Sequence, residues 1–159
     1  MPHVYAPDMH LSILIRKASF SDAGWIAKVH VDAWRTTYNG VVPDAYLASL
    51  SYGEREQRWR SRIENERNLV LVAEDEIAKQ IVGFVSGGEV RSNDPEYDGE
   101  LYAIYLLEGY RGKGLGRKLV LYLVKKLREG RYNSMLVWVL AQNPYRRFYE
   151  KLGGKYVRS

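Results

Sequence analysis

The residues best suited to chemistry form a short turn at positions 111–116, Arg-Gly-Lys-Gly-Leu-Gly. Because glycines recur at alternate positions, backbone N–H groups can point into one concavity and a ligand can approach without meeting a Cβ atom. A helical apolar pattern starts near Gly114, and the N-terminus of a helix adds positive partial charge. Arg111 and Lys113 add charge at the rim. The turn therefore suits a phosphate or diphosphate group.

Two familiar phosphate-binding loops do not fit this turn. A P-loop requires Lys and then Ser or Thr after its second glycine, but counted from Gly109 that glycine is Gly114, and Leu115 follows it. A dinucleotide-binding fingerprint requires a third glycine where this chain has Arg117. The spacing is Arg-x-x-Gly-x-Gly, which indicates another kind of anion site.

The pattern of apolar residues places the turn between a strand and a helix. Residues 99–107 are apolar on both faces, as in a central strand, and residues 114–129 carry a helical apolar stripe. Further strands are predicted at 11–18, 69–73, 81–90 and 135–140, with a last one beginning at 155–157, and further helical regions at 22–38, 44–50, 53–65 and 144–152. The predicted order, β-α-α-β-β-β-α-β-α-β, gives an α/β (mixed α+β) fold with helices on the faces of the sheet.

Composition narrows the classes of protein and of site. A chain of 159 residues fits one domain, residues 1–159. It has no cysteine, which excludes disulfides, thiolate metal sites and a cysteine acyl-enzyme, and it shows no metal-ligand spacing, so no metal is expected. The sequence has no apolar run of about 20 residues and no secretory leader pattern, so a cytoplasmic location is expected. The net charge of +5 suits a polyanionic small molecule or nucleic acid.

The turn at 111–116 resembles the pyrophosphate-binding motif of the GNAT superfamily of N-acetyltransferases. Residues 100–107 look like the fourth strand of that family, and residues 143–153 resemble its second conserved segment. Residues 33–38 are similar to an early segment of bacterial and archaeal members. The resemblance covers nearly the whole chain. It implies an acetyl-CoA-dependent N-acetyltransferase whose sheet splays apart between strands 4 and 5.

The resemblance also implies a set of residues for binding acetyl-CoA. Pantetheine would lie in the splay like an added strand, the turn would hold the diphosphate, and the end of strand 5 would touch the cofactor. In that order, the implied residues are Ile104, Tyr105, Leu106 and Leu107; Arg111, Gly112, Lys113, Gly114, Leu115 and Gly116; and Asn143.

Two catalytic roles follow from the same resemblance. Tyr149 matches a tyrosine near the thioester sulfur and is expected to protonate the leaving thiolate, since a phenol pKa of ~10 makes that transfer nearly balanced. Glu100 is expected to take the amine proton, often through water, with Glu96, Asp98 and Glu108 as rivals. The alternatives are that Tyr149 is a packed aromatic and Glu100 an exposed strand-end charge. No Gly-x-Ser-x-Gly elbow occurs, so direct attack in a ternary complex is expected.

Two other groups of residues have competing interpretations. His30, Trp34 and Tyr38 share one helical stripe. Trp34 and Tyr38 either line an acceptor pocket or pack on the sheet, and packing is the favoured interpretation. His30 is a lone imidazole. Arginines alternate with glutamates over residues 54–67, which favours a solvated, internally paired face over a nucleic-acid site.

Several functions stay open at this point. A non-catalytic acetyl-CoA-binding or regulatory module is the alternative to an enzyme, and a nucleic-acid-binding domain is a third reading. The amine acceptor is open among protein N-termini, lysines, polyamines, aminoglycosides and small amino acids.

The end of the sequence departs from the family pattern. Members usually continue past the last helix with two more strands, whereas this sequence stops at Ser159. Either the protein continues beyond Ser159 or a partner covers the open sheet edge. Strand exchange between two copies, giving a homodimer, is one way to cover it.

Overall fold

The computed structural model describes residues 12–141, 143 and 146–158. The strands are β1 (Ile13–Lys17), β2 (Asn68–Asp75), β3 (Gln80–Glu89), β4 (Gly99–Leu106) and β5 (Met135–Val137). The helices are α1 (Ala23–Thr37), α2 (Asp44–Ser49), α3 (Tyr52–Glu64), α4 (Leu115–Glu129) and α5 (Arg146–Lys151). Leu11 and Pro144, predicted to lie in the first strand and in the first turn of the last helix, are outside the described residues.

The sheet confirms the mixed α/β class. Its strands lie in chain order from β1 to β5, and every neighbouring pair is antiparallel except β4 and β5, which are parallel. β1 and β2 are antiparallel neighbours although α1, α2 and α3 lie between them in the chain, and only β2, β3 and β4 follow one another without an α-helix. The parallel pair of β4 and β5 is joined by a helical crossover, α4. The sheet thus brings the start of α4 and the end of β4 to one edge.

Three details of the predicted element order are wrong. Three helices precede β2, one for each predicted helical region, whereas the predicted order counted two. Residues 155–158 form no strand. β5 ends at Val137 instead of Leu140, and the side chains of Trp138 and Leu140 are 50% and 48% exposed. Because residues 155–158 do not pair with β5, nothing holds the apolar residues after Val137 in a sheet.

β4 and β5 are joined at one end and separate at the other, as the resemblance implied. They pair only from Gly99–Met135 to Leu101–Val137. Directly after Leu101, Tyr102 forms a β-bulge, since Ser86 of β3 faces Ala103 and the next residue faces Leu101. A bulge bends its strand and increases the twist. Beyond it, β4 has no strand on its outer side among the described residues.

Asp98 fixes the joined end of the two strands. Its carboxylate accepts hydrogen bonds from the backbone N–H of Asn133 and Ser134 and from the hydroxyl of Ser134, at 2.9–3.2 Å. These bonds lower the pKa of Asp98, the one from Asn133 having the largest effect. Asp98, considered above as a rival base, therefore sets where β5 meets β4.

One apolar core lies on each face of the sheet. Alternation along β2 sends Val70 and Val72 to the face covered by α1 and α3, and Leu71 and Ala73 to the face covered by α4. The first core centres on Trp59 and Phe84, both fully buried. The second contains the α4 stripe, formed by Leu115, Leu119, Val120, Leu123 and Leu127. These cores hold the helices that border the site.

Candidate active site

The turn after β4 leaves backbone groups exposed at the N-terminus of a helix. Gly112 and Gly114 have φ angles of +75° and +80°, in the left-handed region that residues with a Cβ avoid. Gly114 is the N-cap of α4. A Cβ atom built at either glycine would meet no protein atom within 4 Å, so the space above both is open. The turn therefore offers unobstructed N–H groups to an anion.

A groove of about 270 Å³ runs from this turn along the end of β4. It is lined by Thr37, Ile104, Tyr105, Leu106, Arg111, Gly112, Gly114, Gly116, Arg117, Asn143, Phe148 and Tyr149. The groove thus brings together Tyr149 and eight of the eleven residues predicted to bind the cofactor. The other three predicted residues are elsewhere: Leu115 is buried in the core, Leu107 packs between the two cores, and Lys113 is exposed.

The free side of β4 forms one wall of the groove. Ile104, Tyr105 and Leu106 pair with β3 on one side, and within the described residues no strand pairs with them on the other. An extended ligand can use such an edge as a strand would. Leu107 differs, because its N–H already donates to the carbonyl of Val82 at 2.9 Å.

Arg111 ties the turn to two other elements. Its Nε donates to the carbonyl of Leu106 at 3.1 Å, and its Nη2 donates to the hydroxyls of Thr36 and Thr37 at 3.1 and 3.4 Å. The sequence predicted only added charge at the rim. In the structure this guanidinium also fixes the position of the turn relative to β4 and α1.

Three tyrosines and an asparagine meet where β4 leaves β5. The hydroxyl of Tyr38, a residue only 4% exposed, accepts a hydrogen bond of 3.1 Å from Asn143 Nδ2. Burial, followed by the nearby phenol of Tyr38, raises the pKa of Tyr149 to about 12. Burial also raises the pKa values of Tyr38 and Tyr105. These phenols stay protonated at neutral pH, and two of them, Tyr105 and Tyr149, line the groove.

A second cavity, of about 420 Å³, lies on the α1 and α3 side of the sheet. It is lined by His30, Trp34, Trp59, Arg62, Asn68, Val70, Ser86, Arg91, Tyr102, Ala103 and Tyr105. Tyr105 belongs to both linings, so this cavity and the groove share a wall. Of the helical stripe, Trp34 and His30 line the cavity, whereas Tyr38 is packed.

Sequence reasoning missed the two arginines of this cavity. Arg62 was assigned to a paired, solvated face, and on that face Arg60 does pair with Glu56 at 3.0 Å. Arg62 instead lies over the ring of Trp59, 4.7 Å from its centroid. Arg91 comes from a polar loop that carried no motif. Arg62 of α3 and Arg91 after β3 line the same cavity because α3 packs beside β2, the neighbour of β3. No local sequence pattern indicates this packing.

Glu100 lies at the start of β4, 1% exposed, and contributes to neither lining. Its carboxylate accepts hydrogen bonds from the backbone N–H of Arg91 at 3.0 Å, from Arg91 Nε at 2.9 Å and from Arg91 Nη2. The alternative to a catalytic base, an exposed strand-end charge, is therefore wrong. Glu100 is a buried carboxylate that holds Arg91 at the cavity.

His30 is buried and neutral. Its Nδ1 accepts a hydrogen bond of 3.1 Å from the indole Nε1 of Trp59, and its ring stacks on Tyr105 at 5.2 Å. Because an indole N–H only donates, the proton of His30 resides on Nε2. Burial, followed by the nearby Arg55, Arg62 and Arg58, lowers the pKa of His30 to about 3.

The fold and the site together define an acetyltransferase of the GNAT class. The profile of the acetyltransferase (GNAT) family matches residues 30–154, and the chain belongs to that family. YuaI of Bacillus subtilis (strain 168), an uncharacterized N-acetyltransferase, is 46% identical over 138 residues, which are 87% of this chain and 78% of that protein.

Solved structures share the fold. PaiA N-acetyltransferase of Thermoplasma acidophilum, in complex with coenzyme A, superposes with a TM-score of 0.77 at 24% identity, over 92% of this chain and 91% of that one. The aminoglycoside 6'-N-acetyltransferase AAC(6')-IG of Acinetobacter haemolyticus, in the apo state, superposes with a TM-score of 0.72 at 15% identity, over 92% and 93%.

Among residues 12–141, 143 and 146–158, no group of three or more histidine, aspartate or glutamate side chains is arranged to hold a metal ion. Within the same residues, no helix is both long and apolar enough to cross a bilayer.

The neutral state of His30 predicts a pH-dependent stability. Between pH 6.5 and about 3, the unfolded chain binds a proton that the folded protein excludes, so unfolding becomes easier as the pH falls. Between pH 6 and 4, urea unfolding of the wild type should lose about 1.4 kcal/mol per pH unit more than that of His30→Asn. Asparagine keeps an acceptor for Trp59. Parallel pH slopes for the two proteins would contradict the assignment.

Proposed function

We propose that this protein transfers an acetyl group from acetyl-CoA to a primary amine by direct attack in a ternary complex. The observation that carries the proposal is the pairing of two spaces across Tyr105. One is a groove with an anion-binding turn and a free strand edge, and the other is a cavity large enough for an acceptor. Because β4 and β5 no longer pair beyond Leu101, two substrates that enter from opposite sides can meet beside Tyr105.

The groove fits acetyl-CoA in shape and in chemistry. The turn at Gly112 and Gly114, at the positive end of α4, would bind the diphosphate. The free edge of Ile104–Leu106 would pair with the amides of pantetheine, and Asn143 would contact the same ligand. Arg117, at the rim of the groove, adds a cation beside the phosphates. When bound, acetyl-CoA supplies the thioester that carries the acetyl group.

The reaction forms an N–C bond, breaks a C–S bond and moves protons at the amine and at Tyr149. The amine nitrogen attacks the thioester carbonyl, the N–C bond forms, and the C–S bond breaks with its electron pair on sulfur. The amine loses a proton to a base or to water. Tyr149 supports the leaving sulfur by donating its phenolic proton, and water reprotonates the phenol afterwards.

The pKa of Tyr149 changes the expected energetics of that donation. An ordinary phenol would exchange a proton with a thiolate at little cost, whereas burial raises the pKa of Tyr149 to about 12. Full transfer is therefore less favourable than the sequence suggested. The raised pKa also keeps the donor protonated at every pH where the enzyme would work.

Glu100 remains the predicted base, acting through water. Its carboxylate is bound by Arg91 and lies behind the cavity lining, so a proton from the amine must pass along water at Arg91 to reach it. The ion pair would also place Arg91 at the cavity.

The first test measures coenzyme binding and thiol release. Gly114→Ala adds a Cβ in the left-handed region, which costs roughly 1–2 kcal/mol, and it fills the open side of the turn. We expect calorimetry to show acetyl-CoA binding weakened at least about 10-fold. Gly109→Ala, next to the turn but outside the groove, should bind like the wild type.

Thiol release over a panel of amines separates an enzyme from a binding module. Release that requires both acetyl-CoA and an amine supports the proposed function. Tight binding of acetyl-CoA with no release for any amine would show a non-catalytic module, and unchanged affinity in Gly114→Ala would place the coenzyme elsewhere.

Removing the phenol of Tyr149 tests the proposed acid. Tyr149→Phe should lower kcat by about 10²-fold, within the usual range for general acid–base help, with little change in acetyl-CoA affinity. Tyr122→Phe, on the exposed face of α4, is the matched control and should keep the wild-type kcat. If Tyr149→Phe keeps the wild-type kcat, the acid is another group or water.

The pH profile tests Glu100. If it is the base, Glu100→Gln should lower kcat/KM by about 10² or more and remove the fall in activity at low pH. Glu96 is an exposed carboxylate in the same region and was a rival candidate for the base. Glu96→Gln should keep the wild-type kcat/KM and the fall in activity at low pH. A low-pH limb that persists in Glu100→Gln would assign the proton to bulk water or to another residue.

A further inference from the structure

The cavity on the α1 and α3 side carries positive charge without an internal counter-charge for all of it. Its described lining contains two guanidinium groups, Arg62 and Arg91, and no carboxylate. The charge of Arg91 is compensated by the buried Glu100. The charge of Arg62 has no such partner, which makes Arg62 the group to explain.

Arg62 sits at the rim of the cavity with its guanidinium over Trp59. Within the described part of the chain, the guanidinium makes no ion pair and donates no hydrogen bond; only the backbone carbonyl of Arg62 is used, by Asn68 Nδ2 at 3.2 Å. Arg62 is an exposed residue, and its pKa is lowered by partial burial of the guanidinium and then by the like charges of Arg55, Arg91 and Arg58. A guanidinium in this setting would be stabilised by a bound anion.

His30, another residue of the cavity lining, is also affected by nearby positive charge. Its pKa is lowered by burial and then by three arginines, Arg55, Arg62 and Arg58. After burial, Arg55 and Arg58 are causes common to the lowered pKa values of His30 and Arg62, and Arg62 itself acts on His30. Such a cavity disfavours a polycation and favours an acceptor with a negative group.

A row of ring contacts leads from Tyr105 to Arg62. The ring of Tyr105 stacks on His30 at 5.2 Å, and His30 meets the ring of Trp59 at 5.8 Å. The guanidinium of Arg62 lies 4.7 Å from the centroid of Trp59. An acceptor that reaches from Tyr105 to Arg62 therefore has to extend past the rings of His30 and Trp59.

We propose that the acceptor is an amine that carries a carboxylate at its far end, with the amine at Tyr105 and the carboxylate at Arg62, as in a short peptide with a free N-terminus. The aromatic rings of Trp34, Trp59 and Tyr102 would contact the body of this acceptor. This assignment rests on the proposed function, because it identifies the cavity as the acceptor site. It disfavours polyamines, which would place further cations beside Arg62.

Two peptides of equal length test the charge. Trialanine has a free carboxylate, and trialanine amide lacks only that charge. The wild type should acetylate the acid with a kcat/KM about 10-fold higher than the amide, mainly through KM, and should use spermidine less well than either peptide. Equal use of the acid and the amide, or a preference for spermidine, would overturn the assignment.

Two variants locate the effect. Arg62→Gln should remove most of the acid-over-amide preference while keeping the KM for acetyl-CoA, because Arg62 is outside the groove. Arg60→Gln is the matched control: it removes a neighbouring charge on α3 that is paired with Glu56, and it should keep the preference. A preference that survives in Arg62→Gln would overturn the role of Arg62. Arg91 is unsuitable here, because its removal would leave Glu100 buried without its partner.

A binding measurement separates the two levels of the proposal. Calorimetry of N-acetyl-trialanine against its amide, with coenzyme A present, should show the same preference for the acid without any turnover. Thiol release with other amines but with neither peptide would overturn this inference and leave the proposed function standing. If none of the amines tested supports thiol release, both this inference and the proposed function are overturned. A lower KM for an alanyl-alanyl-phosphoserine amide than for trialanine would indicate that Arg62 binds a phosphate, and it would overturn the assignment to a carboxylate.

Discussion

The separation of β5 from β4 after three paired residues is the constraint on which the site depends. Parallel pairing holds the strands together up to Leu101 and Val137, and the bulge at Tyr102 then turns β4 away. Had the pairing continued, β5 would occupy the edge that Ile104–Leu106 now presents. The groove, the shared wall at Tyr105 and the meeting of the three phenols all follow from this interruption.

The interruption is kept local by contacts at both of its ends. Asp98, directly before β4, binds the two residues directly before β5, so the strands begin in register. Arg111 binds the turn after β4 to the carbonyl of Leu106 and to α1. Neither residue needs to touch a reacting atom. Each fixes the position of a backbone segment, and the backbone is what the proposed ligand would contact.

Burial on the α1 and α3 side has a second consequence, the neutral His30. Its Nδ1 is used by Trp59, its ring is stacked on Tyr105, and arginines of α3 oppose its protonation. Protonating it would leave a charge in an already positive wall. One of these arginines, Arg62, lines the cavity. Its charge, after burial, contributes to the neutral state of His30, and it also underlies the preference proposed for an anionic acceptor.

The sequence by itself determined the local features. The spacing of glycines and basic residues at 111–116, the apolar stripe of α4 and the apolar run of β4 identified the turn and its neighbours, because turn conformation and helix periodicity depend on residues close in the chain. The family resemblance added Asn143 and Tyr149 to the same site, and the groove brings both to it.

Only the tertiary structure decided what depends on distant segments. Four features each require two elements to meet. They are the end of β5 at Val137, the ion pair of Glu100 with Arg91, the raised pKa of Tyr149 and the position of Arg62 at the rim of the cavity. The sequence identifies each carboxylate and phenol and hence its ordinary pKa. Burial and neighbouring groups shift that pKa, and they arise only when the helices pack on the sheet.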